Sequence, residues 1–120
     1  MSRIEKLYER LDALESEFKS RLVAELRDIA AGRGGLFFMR EDHPQYTQLK
    51  GYVNPESGKL EGIGDEIISL RKKLKEPIGE SLVMRLRAYR DKWGDLSDDN
   101  RRGETNLAKQ FLAEIESDTS

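Results

Sequence analysis

The chain has 120 residues, enough for one domain with a buried core, and reads as a single helical domain over 1–120 with a frayed end at 117–120. Apolar and charged residues each make up 37% and the net charge is only −2, so the charge is mixed and suits solvated helix faces rather than disorder. There is no cysteine, which excludes disulfides, thiolate chemistry and sulfur-ligated zinc, and no apolar run of about 18 residues to span a membrane.

The start, MSRIEKLYERLDALE, is charged and lacks the apolar core of a signal peptide, so a cytoplasmic location is expected. Ile4, Leu7, Tyr8, Leu11, Leu14, Phe18, Leu22, Leu26 and Ile29 recur at three- and four-residue steps, one apolar stripe of a long helix. Ser2 can cap this helix and Gly32 can end it. Some 28 residues give roughly 42 Å. The step from Ile4 to Phe18 is heptad-like, as in a coiled coil or bundle. Helices of about 14 and 16 residues follow, too short to cover such a stripe singly. Either they stack along it, or a second subunit covers the surplus through Leu7, Leu11, Leu14, Phe18 and Leu22. A homo-oligomer, with a dimer favoured, is the expectation.

Residues 32–62 interrupt the helical pattern. GRGG follows a helix and precedes an apolar run, so it lacks the strand-then-helix setting of a phosphate loop and reads as a helix stop. LFFM fits no single helix face and reads as a core plug, a short buried strand or a contact patch. With Tyr46 and Tyr52, Phe37 and Phe38 can also line a small-molecule pocket within 36–52. Glu41, Asp42 and His43 are oxygen and nitrogen donors for a divalent metal. Three adjacent residues do not all reach one ion on ordinary backbone, and there is no second histidine. Helix entry, with Asp42 capping HPQYTQLK and Gly51 ending it, is the simpler reading. Further on, NPESG is a turn signal between Tyr52-Val53 and Lys59-Leu60, suggesting a small hairpin or plain loop.

The helical period resumes at Ile63, Ile67, Leu70 and Leu74, up to Glu76 before Pro77. A third helix carries Ile78, Leu82, Leu86, Tyr89 and Trp93 and ends at Gly94. The last starts at Ser97, with Asn100, Gly103, Leu107, Phe111 and Ile115 inward, or splits in two with Thr105 as a cap. The fold class is mainly α: an antiparallel bundle of about four helices with a long first helix and an irregular insertion.

From Arg71 to Lys92 there are eight Lys or Arg and three Asp or Glu, a net +5, against −7 for the rest. Arg71, Lys72, Lys73, Lys75, Arg87 and Arg90 are the candidate nucleic-acid contacts. Basic residues on both edges of an apolar stripe more often line a core rim, and the acidic chain lacks a binder's field. Nucleic acid is therefore disfavoured. Glu15 and Glu104 fall on apolar arcs, where each needs a partner or a proton. Two such carboxylates could face one another as a proton or metal site, but a basic partner for Glu15 at the seam edge is simpler.

The leading functional expectation is association with itself or a partner chain through amphipathic helix faces. A nucleic-acid-associated regulator and a ligand-binding protein or enzyme are the alternatives, the last having no Ser-His-Asp set or paired-His motif. No cofactor is implied.

Overall fold

A computed structural model of the chain describes residues 2–39, 42, 44–94 and 100–118. Five helices follow in order: α1 (Arg3–Ala30), α2 (Tyr46–Leu49), α3 (Pro55–Lys73), α4 (Leu82–Gly94) and α5 (Asn100–Asp118), with a 3-10 turn at Lys50–Tyr52. Helix dominates, as expected, and the only pairing of extended backbone among the described residues is a bridge from Leu36 to Val53.

α1 has the predicted limits. Ser2 Oγ accepts the Glu5 N–H at 3.1 Å. At the other end Gly32 takes φ +81°, and the N–H groups of Gly32 and Arg33 close on Ile29 and Asp28. This is the left-handed helix stop that glycine adopts without strain.

The expected hairpin after Tyr52 is not formed. Asn54 instead caps α3, its Oδ1 accepting the Glu56 N–H at 2.9 Å, with Pro55 in the first helical position. α3 thus begins eight residues before Ile63. It passes through Gly58, Gly62 and Gly64, residues that weaken a helix locally. Tertiary packing overrides this: a Cβ on Gly64 would lie 2.9 Å from Val83 Cγ1, so the glycine lets α3 and α4 approach closely. α3 stops at Lys73, short of Glu76, with Lys75 at φ +59° and the Glu76 N–H on the Arg71 carbonyl at 2.8 Å. α4 starts at Leu82, not Ile78, because Ser81 turns its Oγ onto the Ile78 carbonyl at 2.8 Å and presents it to the Met84 N–H. α5 is continuous from Asn100, so Thr105 does not cap a second piece, and it carries on through Asp118. Ser97 lies outside the described residues. Gly51 sits inside the 3-10 turn and does not end α2.

α1 packs against α3 and α5, and α4 also packs against both, so the four long helices form a closed square. Cross-helix pairs set their directions. Arg10 meets Glu66 while Arg21 meets Glu56, so α1 and α3 are antiparallel. Tyr89 stacks on Phe111 while Arg85 reaches Asp118, so α4 and α5 are antiparallel too. Leu11, Leu14, Phe18, Leu22, Leu26 and Ile29 fill the centre with Leu60, Ile67, Leu86, Leu107, Phe111 and Ile115.

The stripe of α1 is therefore covered within one chain from Leu11 onward. α3 packs along one side of it and α5 along the other, which covers it without a second subunit there. Of the expected interface residues, Leu11, Leu14, Phe18 and Leu22 are core, and Leu7 alone stays half-exposed.

The insertion closes the core at one end. Phe37, Phe38 and Met39 are buried, as a plug should be. Phe37 and Phe38 meet edge to face at 5.2 Å, and Phe38 continues towards Tyr89. Glu104 is buried as its phase implied, but it does not face Glu15. It accepts the N–H groups of Phe37 and Phe38 at 3.1 and 2.9 Å. Glu15 binds Arg71 at 2.5 Å, the partner on a neighbouring helix that the seam position called for.

Candidate functional site

Two surface features stand out on this scaffold. The first is the beginning of α1. In its opening turns Ile4 is 61% and Tyr8 37% exposed, beside half-exposed Leu7. Tyr8 is tethered by its hydroxyl, which donates to Glu76 Oε1 at 2.6 Å. That hydrogen bond raises its pKa, with burial and the Glu76 charge adding to it. The exposed apolar groups are thus carried on a rigid helix.

The second is a cleft of about 700 Å³ between α3, α4 and the residues Met39, Tyr46, Val53 and Asn54. Met39, Tyr46, Val53, Pro55 and Met84 give it apolar walls. Its polar side is built on α3 and α4. Ser57 and Glu61 lie one turn apart on α3, and Arg87 and Arg90 one turn apart on α4. Arg90 Nη2 donates to Ser57 Oγ at 2.7 Å, and Ser57 Oγ donates to the Phe37 carbonyl at 3.0 Å. Arg90 Nη1 meets Glu61 at 3.2 Å, and the guanidinium lies 5.9 Å from the Phe37 ring centre. Its side chain is only 12% exposed. Arg87 binds Glu61 through Nε at 3.1 Å and Nη2 at 3.0 Å, and Asp65 at 2.8 Å. Its Nη1 faces Met84 Sδ at 3.8 Å.

The sequence-derived candidates are redistributed. Of the aromatic pocket residues, Tyr46 lines the cleft, Phe37 and Phe38 lie in the core, and Tyr52 is 70% exposed on a separate groove with Leu36 and Leu49. The basic segment does not make one face. Arg71 is held by Glu15 and by the Pro77 carbonyl, Arg87 and Arg90 lie in the cleft, and Lys72, Lys73 and Lys75 are exposed at the end of α3. Arg85 is engaged by Asp118 and Glu114: burial acts to lower its pKa, but these carboxylates outweigh it and the pKa is raised. Glu41 and His43 lie outside the described residues and Asp42 is exposed. No group of three or more His, Asp or Glu that could hold a metal occurs among the described residues. Nor is any of the described helices long and apolar enough to cross a membrane.

Ser57, Glu61, Asp65 and Met84 were not anticipated. The signal was there as i,i+4 acids at Glu61 and Asp65 opposite i,i+3 arginines at Arg87 and Arg90. It becomes readable only once α3 is started at Pro55.

Comparison with known protein families, with curated proteins and with solved structures gives no match.

Proposed function

We propose that the protein acts by association, docking a helix of another chain on the exposed start of α1. The observation that carries this is the exposure of Ile4 and Tyr8 beside half-exposed Leu7 on one helix. Clustered apolar side chains on a rigid helix are a common contact surface.

Charge favours a different chain over a second copy. At 100° per residue from Ile4, Glu5, Glu9 and Asp12 lie about 80–140° to one side of the stripe. Arg3, Lys6 and Arg10 lie about 100–160° to the other. A copy aligned parallel would drive its own α1 into α3 and α5. A copy aligned antiparallel avoids them, but its two-fold axis sets each flank against the same flank, acid on acid. The partner that fits is an amphipathic helix with a basic edge for Glu5, Glu9 and Asp12 and an acidic edge for Arg3 and Lys6, Arg10 being held by Glu66 of α3. A nucleic-acid role draws less support, because Arg71, Arg87 and Arg90 are already engaged by acids of the chain.

The test uses two synthetic helical peptides with one apolar stripe and the flank charges in opposite senses, plus a peptide of residues 2–14. The complementary peptide should bind the full chain, more weakly with rising salt, and lose binding with Ile4→Glu or Tyr8→Glu. Equal binding of both senses, or tightest binding of the 2–14 peptide, would overturn the reading. So would a stable dimer by light scattering.

A further inference from the structure

Independently of that surface, we infer that the α3–α4 cleft is a binding site for a small organic monocarboxylate, held by Arg87 with its apolar body against Tyr46, Met39 and Met84. The volume suits a small ligand, since such sites span about 300–1,000 Å³ with mostly apolar walls and a few placed polar groups.

Arg87 is the group that can bind. A guanidinium carries five N–H donors in a fixed fork. Glu61 and Asp65 take the Nε and Nη2 side and lock the plane of the fork. The Nη1 side is left to Met84 Sδ at 3.8 Å, a weak thioether acceptor. A carboxylate oxygen arriving there exchanges a weak acceptor for a charge-assisted hydrogen bond, without the guanidinium having to reorient. The flexible methionine side chain can move aside and pack on the ligand body.

The surrounding charge favours the ligand of least negative charge. Arg87 and Arg90 are offset by Glu61 and Asp91 along the cleft, with Asp65 close behind. Any anion meets these three carboxylates, and a dianion such as phosphate is repelled about twice as strongly as a monoanion. A monocarboxylate places its one charge on Arg87 and leaves the rest of its surface to apolar walls.

The experiment takes the full chain, phenylacetate as the probe, phenylacetamide as its neutral counterpart, and inorganic phosphate. The chain has three methionines, so methyl-labelled methionine gives three resolvable signals. Phenylacetate at about 20 mM should shift the Met39 and Met84 methyl signals and raise Tm. Phenylacetamide and phosphate should bind at least about tenfold more weakly, as loss of a charge-assisted hydrogen bond implies. Arg87→Gln should weaken phenylacetate by a similar factor. Methyl titration of the unmutated chain decides the matter even if Arg87→Gln does not fold. Equal affinity for the amide would make the cleft a plain apolar groove. Phosphate binding as tight as phenylacetate would make it an unselective anion patch. Either result, or no shift of Met84 with phenylacetate, overturns the inference.

Discussion

Glu104 and Phe38 meet in the core, the carboxylate accepting the Phe38 backbone N–H at 2.9 Å across 66 residues of sequence. The other oxygen accepts the Phe37 N–H at 3.1 Å. A loop that turns buried aromatic side chains inward also buries its own N–H groups, and these need acceptors. Glu104→Ala should leave both unsatisfied and cost roughly 3 kcal/mol or more. Glu104→Gln keeps one carbonyl acceptor and should cost roughly half as much. Urea denaturation of both variants measures this; a loss within error of zero for Glu104→Ala would mean the plug is held by packing alone.

Gly35 and Gly62 should respond in opposite directions to the same change. A Cβ on Gly35 would sit 2.4 Å from the Tyr52 carbonyl oxygen and 3.2 Å from the Asn54 nitrogen. These atoms are fixed by the hydrogen bonds Leu36 N–H to Tyr52 and Asn54 N–H to Leu36, both 2.8 Å. Gly35→Ala must break that bridge, and it should cost about 2 kcal/mol. Because Asn54 also caps α3, hydrogen exchange should quicken at residues 55–58. Gly62 lies mid-helix with nothing within 4 Å of a Cβ, so Gly62→Ala should gain about 0.5–1 kcal/mol. Thermal melts of the two variants moving the same way would contradict the close approach at Gly35.

Lys75 occupies the left-handed position that ends α3, φ +59°, with the N–H groups of Lys75 and Glu76 closing on Lys72 and Arg71. A residue with a Cβ pays about 1 kcal/mol there that glycine avoids. Lys75→Gly should raise stability by about that amount, and Lys75→Ala should not. The comparison separates backbone strain from loss of the lysine charge, since both variants remove the charge.

The parts legible from residues alone are those where one rule acts locally. The α1 stripe, its Ser2 cap, the Gly32 stop, the buried Phe37, Phe38 and Met39 and the Glu15 partner follow from spacing and from the cost of a bare buried charge. α3 was displaced because Asn54-Pro55-Glu56-Ser57-Gly58 is equally good chemistry for a turn and for a helix start. The choice rests on Gly64 against Val83 and on buried Leu60, contacts that do not show in local sequence. Without the start at Pro55, Glu61 and Asp65 have no phase relative to Arg87 and Arg90. The sequence then offers the arginines, but neither their partners nor the cleft between them.

Tyr89 makes the fold sensitive to alkali. It is buried, stacked on Phe111 at 4.5 Å, with Lys92 Nζ 4.6 Å from its ring centre. Burial, then hydrogen bonding to Glu114 and the charge of Glu114, raise its pKa well above the ordinary 10.0, and Arg85 opposes them weakly. The fold therefore prefers the neutral phenol. That contribution is complete below pH 10, the unfolded-chain value, and is lost as pH rises from there towards the raised folded value. Above pH 10 the wild type should lose stability with an added slope approaching 1.4 kcal/mol per pH unit, about one proton's worth. Tyr89→Phe should lack that added slope while being less stable near neutrality. Urea midpoints at pH 9, 10 and 11 for both proteins give the comparison, with tyrosinate absorbance followed alongside. Tyr89 should ionise together with unfolding; ionisation of all four tyrosines in a chain that keeps its helical signal would show that Glu114 and burial do not hold its proton.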